Sequence, residues 1–208
     1  VAAEATSDAA GFLELADWRR RVSELYADIR NSSDPLRAWD RWREAREQLF
    51  LTHPQSPLLP DERDAAHAPR YFPYNPAMRV LADVDESVAQ PAVLPVSAPG
   101  EVKAEKVGVA RFTVNGQSRA LSMYWLQEYS GGLFVSFRDS TSGTETYGAG
   151  RYVLDTAKGA DLGMSDRRLI LDFNFSYPPS CSYDPRCSCP LPPRENWLNI
   201  PIRAGEQS

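Results

Sequence analysis

A chain of 208 residues that is 42% hydrophobic and 11% aromatic carries enough apolar material to fill one core, which excludes wholesale disorder. The formal charge of −5 supplies no broad cationic surface for phosphate backbones, so nucleic acid is not an expected partner. Val1 to Ala10 lacks the basic and apolar regions of a signal peptide and no later apolar run reaches the length of a bilayer span, so a cytoplasmic protein without a transmembrane segment is expected.

From Ser7 to Arg30, the residues Phe12, Leu15, Val22, Leu25, Tyr26 and Ile29 recur near a helical repeat while Arg20, Arg21 and Asp28 stay on the wet side. Asn31 to Asp34 interrupts this helix, and Asp34 followed by Pro35 marks the start of a second one, because an aspartate caps a free N–H and proline tolerates the first turn. Leu36, Trp39, Ala45, Leu49 and Phe50 give the second helix its apolar stripe, and the pair reads as a helical arm over residues 7–50. Trp39, Leu36, Leu49 and Phe50 are expected to dock the arm onto the rest of the chain, with Arg43 largely wet.

Residues 51–76 hold prolines at 54, 57, 60, 69, 73 and 76, which deny donors to a regular ladder, so an irregular crossing tied down by Tyr71, Phe72 and Tyr74 is expected. From 77 to 208 the pattern becomes that of strands, at Met78 to Val84, Ala92 to Val96, Val102 to Val109, Ala110 to Val114, Gln117 to Trp125, Leu133 to Phe137, Thr146 to Leu154 and Arg168 to Phe175, with a short closing strand at Leu198 to Ile202. Asn115-Gly116 between two of these runs is the clearest turn signal, since both residues accept the positive φ of a tight hairpin. The fold class is α+β, one domain over residues 1–208, with the helical hairpin packed on a mainly antiparallel β barrel, half-barrel or sandwich.

The blocks FLTHPQSPL from Phe50, YFPYNP from Tyr71, FRDSTSGTETYGAGRYVL from Phe137 and LDFNFSYPPSCSYDPRCSCPLPPRENWLNIPIRAGE from Leu171 resemble a bacterial family, domain of unknown function 1684. The resemblance implies a shared compact fold in which this chain is a short form, and it implies no reaction. Cys187 departs from the pattern the resemblance implies, in which an aromatic residue is common near that place.

The densest chemistry lies between Arg138 and Arg151, where two guanidinium groups, hydroxyls and glycines follow one another. Arg138, Asp139, Thr144, Tyr147 and Arg151, with Asn174 from a neighbouring strand end, form a candidate site for an anionic small molecule, against a structural turn held by ion pairs. Gly148-Ala149-Gly150 lacks the spacing and following helix of a nucleotide loop. Cys181, Cys187 and Cys189 leave three readings open: zinc with a histidine from elsewhere, a disulfide from Cys181 to Cys189, or three unreactive thiols; an odd, clustered set leans towards a reducing compartment. His53 is the candidate proton-transfer group if the chain is an enzyme, with capping of a helix end as its structural alternative.

A small-molecule binding module for an anionic ligand is therefore the leading functional expectation. The alternatives are a hydrolase-like enzyme and a structural or interaction protein presenting Trp18, Trp39 and Trp42. No cofactor is favoured, and the oligomeric state is left open.

Overall fold

A computed structural model describes residues 9–127 and 131–208. Helix α1 spans Ala9–Arg30, its expected start at Ser7 lying outside the described residues, and α2 spans Pro35–Thr52. The Asp34 side chain accepts the Arg37 N–H at 3.1 Å with Pro35 in the first turn, as its sequence signal requires. No helix among the described residues is long and apolar enough to cross a membrane.

Among the described residues eight strands follow: β1 Arg79–Asp85, β2 Gln90–Leu94, β3 Val102–Val114, β4 Gln117–Leu126, β5 Gly132–Phe137, β6 Arg151–Asp155, β7 Met164–Ser165 and β8 Arg168–Asp172. Every named pairing is antiparallel, in the order β6-β5-β4-β3-β1-β8-β7, with β2 added alongside β3. The curled sheet is a half-barrel. Its interior is filled by side chains such as Ala110, Phe112, Leu121, Val135, Phe137 and Leu171, all buried. β3 and β4 turn at Asn115 and Gly116, with φ of 51° and 72°, and pair from Val114 opposite Gln117.

Three strand expectations need correction. The run from Thr146 becomes a strand only at Arg151, because Gly150 takes φ of 102° and an added Cβ there would lie 2.5 Å from the Phe137 carbonyl. The run from Arg168 ends as a strand at Asp172, whose side chain caps a 3-10 turn over Phe173–Phe175. Leu198 to Ile202 is no regular strand. It follows Arg138 to Ser140 through separate bonds, Leu198 N–H to the Arg138 carbonyl at 2.7 Å and Ser140 N–H to the Ile200 carbonyl at 3.1 Å, and Pro201 contributes no donor.

The helical arm covers the outer face of the sheet through Trp39 and Trp42, which cluster with Leu81 and Ile170, while Leu49 and Phe50 are buried too, Phe50 against Trp18 and Tyr183. Trp42, 2% exposed, meets Phe175 and Tyr71 edge to face at 5.3 and 5.4 Å, and Trp39 donates its indole N–H to the Asn174 carbonyl at 3.2 Å. Leu36 is the exception, at 50% exposure. At about 100° per residue, it sits roughly 100° from the centre of the stripe formed by Ala38, Trp39, Trp42, Arg46, Leu49 and Phe50. Leu36→Ala is therefore expected to stay within about 0.5 kcal/mol of the parent in urea unfolding. A loss as large as that of a core leucine would contradict the placement. Arg43 is less wet than expected: it lies over the Trp39 ring at 5.6 Å, and its Nε is buried.

The crossing is fastened where its aromatic residues suggested. Phe72 N–H donates to the Gly205 carbonyl at 3.0 Å, Tyr71 bridges to Glu206, and Tyr74 packs on Trp39 at 6.0 Å. The C-terminal coil is fastened by Asn196, whose amide accepts from Ser122 N–H at 2.7 Å and donates to the Ser122 and Ser136 carbonyls at 3.0 and 2.8 Å. One fully buried amide thus ties the coil across β4 and β5.

Candidate functional site

The loop between β5 and β6 gathers some of its expected site residues and separates others. Arg151 is fully buried and donates through Nη1 to the Ala204 and Glu206 carbonyls and through Nη2 to the Ile202 carbonyl at 2.8 Å. Asp139 lies 3.5 Å from Nη2 and also accepts the Ile202 N–H at 2.6 Å and the Thr141 hydroxyl at 2.8 Å. Burial lowers the Arg151 pKa to about 10, against the pull of Asp139. The pair clasps the C-terminal coil to the sheet.

Arg138 points elsewhere and stacks over the Trp197 ring at 4.5 Å. Thr144 is exposed and bonds the Thr141 carbonyl at 3.1 Å. Asn174 is fully buried, exchanging two 2.8 Å hydrogen bonds with the Asn75 backbone. Tyr147 reaches Cys181, its hydroxyl 3.8 Å from Sγ, and lines a surface cavity shared with Tyr183 and His67. These six residues do not line one common pocket.

His53 is 4% exposed and both of its nitrogens are engaged. Nδ1 accepts the Gln55 N–H at 3.1 Å, which leaves the proton on Nε2, 3.2 Å from Asp17 Oδ2. The ring meets Trp18 edge-on at 5.2 Å, so this histidine joins the two helices and the start of the crossing. All three cysteines are free, and no group of three or more His, Cys, Asp or Glu among the described residues is arranged to hold a metal ion.

A concavity lies under the arm, between α1, α2 and the coil from Tyr177 to Cys187, with a volume of about 350 Å³. Trp18, Val22, Phe50, Tyr177 and Tyr183 give it apolar walls, and Arg46 is its most buried cation. Arg46 is held from behind by Glu206, Nε to Oε2 at 2.6 Å, with side-chain exposures of 14% and 0%. Its guanidinium lies over the Phe50 and Tyr177 rings at 4.5 and 4.7 Å. Among the described residues its one hydrogen bond is that from Nε, leaving the two terminal amino groups without a protein acceptor.

Glu206 also accepts the Tyr183 hydroxyl. Burial raises the Glu206 pKa, and the charges of Arg46 and Arg151 oppose the rise. Burial equally disfavours the Arg46 charge, but Glu206 more than restores it, and Arg46 remains cationic. Arg19 and Lys158 add positive charge at the wall, while the Asp184 carboxylate on the same wall is paired with Arg186 at 2.8 Å.

Sequence reasoning passed over Arg46 and Glu206. The signal for the first was local: Trp42, Arg46 and Phe50 follow at intervals of four, so a guanidinium occupies the apolar stripe of α2. A charge in that position needs a buried partner. Nothing local pointed to Glu206, 160 residues away.

Comparison with curated proteins returns no match. Among solved structures, the chain is similar to the solution NMR structure of an uncharacterized protein of Haloarcula marismortui, with 37% identity and a TM-score of 0.59, over 80% of this chain and 90% of that one. The model of a protein family of unknown function, DUF1684, matches residues 67–207, covering β1 to β8, the Arg151 clasp and Glu206. By that match and that likeness, the chain belongs to the DUF1684 family.

Proposed function

We propose that this protein binds a small amphipathic anion in the cleft under the helical arm, with the acidic head on Arg46 and the apolar body against Trp18, Phe50 and Tyr177. The observation that carries the reading is the state of Arg46. Its guanidinium is oriented by Glu206 and two aromatic faces, yet its terminal amino groups have no protein acceptor among the described residues. A planar fork with two free N–H groups matches a carboxylate, sulfonate or phosphate, and a largely apolar cavity makes each such bond stronger than in water. Arg19 and Lys158 favour the same sign of ligand.

The expected ligand class is that of the loop reading, moved to another site, since the Arg151 donors are taken by backbone carbonyls. The hydrolase-like alternative loses its proton-transfer group, because both His53 nitrogens are engaged. The interaction reading loses two of its three tryptophans, Trp39 and Trp42, to the interior.

The test is a fluorescence titration with anilinonaphthalene sulfonate, an aromatic anion. Saturable binding is expected, and the paired change Arg46→Met with Glu206→Gln, which leaves no unpaired buried charge, should weaken it by roughly tenfold or more. Unchanged affinity in a variant that still unfolds cooperatively would remove the cleft as the site.

A further inference from the structure

The last residue of β8 and the first of β1 lie directly opposite each other, Asp172 against Arg79. By strand alternation they share the outer face of the sheet with Ile170 and Leu81, which pack under the arm. Where α1 ends and α2 begins, a cavity of about 70 Å³ remains over this pair, walled by Ala38, Leu162 and Ile170, with Arg30 on the same wall. We propose that this cavity binds a small aliphatic α-amino acid as its zwitterion, with the ammonium on Asp172 and the carboxylate on Arg79 and Arg30.

The observation that carries the inference is the second oxygen of Asp172, a side chain with no exposed surface. Oδ1 accepts the Asn174 backbone N–H at 3.0 Å and the Asn174 side-chain amide at 2.8 Å. Oδ2 is buried and has no hydrogen-bond partner among the described residues. Arg79 Nη1 lies 3.6 Å from it, near enough to balance its charge and too far to hydrogen-bond it. A buried carboxylate oxygen left without a donor is costly, and a bound N–H removes that cost.

The cations are incomplete in the same way. The Arg79 guanidinium makes no hydrogen bond among the described residues, and its side chain is 37% exposed, so a ligand can reach it from solvent. Arg30 donates through Nη1 to the Asp161 carbonyl, and its other donors have no acceptor among the described residues.

The missing donor for Oδ2 and the missing acceptor for two guanidinium groups fit together in one small molecule. One water takes on the order of 10 to 15 Å³ of such a space, so the cavity admits a few heavy atoms and no long chain. An α-amino acid carries its ammonium and carboxylate on one carbon, and a hydrogen or methyl side chain suits the apolar wall. A simple anion would set its charge against Asp172, and a simple cation would set its charge against the two arginines. Burial raises the Asp172 pKa, which the Asn174 donors and the Arg79 charge oppose, and a bound ammonium adds to that opposition. The inference does not rest on the anion cleft, whose wall shares no residue with this cavity.

The test is an amide NMR titration of the full chain with glycine and L-alanine, beside acetate, methylammonium and L-phenylalanine. Glycine and alanine are expected to move the Arg79, Asp172 and Asn174 amides along one saturating curve, with the other three at least roughly tenfold weaker. Asp172→Asn keeps an acceptor for Asn174 and removes the charge, and Arg79→Gln removes the facing cation from a partly exposed position. Each change is expected to weaken glycine and alanine binding by roughly tenfold or more. No saturable shift at these amides, equally strong binding of acetate, methylammonium or phenylalanine, or unchanged affinity in either variant would overturn the proposal. The wild-type titration decides this even if a variant fails to fold.

Discussion

Trp42→Ala is expected to cost about 3 to 5 kcal/mol of unfolding free energy. The indole is 2% exposed and lies between the arm and the sheet's outer face, with Phe175 on one edge, Tyr71 on another and the Arg46 guanidinium 5.9 Å from its centre. Removing it deletes apolar contact with both layers and leaves a cavity beside a buried ion pair. Those neighbours cannot close in without moving Arg46 off Glu206. Urea unfolding followed by circular dichroism measures the loss. Trp18→Ala is the comparison, because Trp18 is only half-buried on the cleft wall and should cost clearly less. Equal costs, or a Trp42→Ala protein as stable as the parent, would mean that the arm does not depend on this contact.

The helical arm and the hairpin at Asn115-Gly116 were legible because their causes are local. A cap, a proline in the first turn and an apolar repeat determine α2, and two residues that accept positive φ determine the β3–β4 turn. The misread strand ends share the opposite property. Residues 146 to 150 carry apolar and β-prone neighbours, but whether they join a ladder depends on how closely Gly150 must approach Phe137. Leu198 to Ile202 alternates like a strand, yet its partner is the irregular stretch after β5, which offers isolated bonds and no ladder. Periodicity reports what a segment can pair with, not what the rest of the chain presents to it.

The functional residues divide along the same line. Arg151 looked like a ligand-binding group because arginine beside glycine and hydroxyl residues suits an anion. The carbonyls that take most of its donors come from residues 202, 204 and 206 of the coil, and the one carboxylate, Asp139, from its own loop. Arg46 carries no local mark of the partner that sets it apart from the other charged residues of α2, and its burial follows from a carboxylate 160 positions later. Each assignment turned on a partner in the C-terminal coil, a segment without regular structure whose path no repeat announces. The resemblance covered that segment and implied a fold, but it carried no roles for these residues.

Arg151→Met is expected to cost about 3 to 5 kcal/mol, the loss associated with breaking a buried charge pair from one side. Arg151 is fully buried, and its fork serves the Ala204, Ile202 and Glu206 carbonyls together with the Asp139 carboxylate. Methionine fills much of the volume but leaves Asp139 buried without its cation and the carbonyls without donors. Lysine should rescue little, because an ammonium on a flexible stem cannot address acceptors spread across a planar fork. Adding Asp139→Asn to Arg151→Met should cost less than the sum of the two single changes, since the stranded carboxylate is then gone. Asparagine can still accept the Ile202 N–H and the Thr141 hydroxyl that Asp139 now receives. Arg138→Ala, taken from the same loop, should remain within about 0.5 kcal/mol, because its stacking partner Trp197 is 42% exposed. Additive costs in the double variant, or an Arg138→Ala loss equal to that of Arg151→Met, would show that the loop holds the coil by packing alone. A non-additive pair would place the closure of the half-barrel's C-terminal coil on one guanidinium.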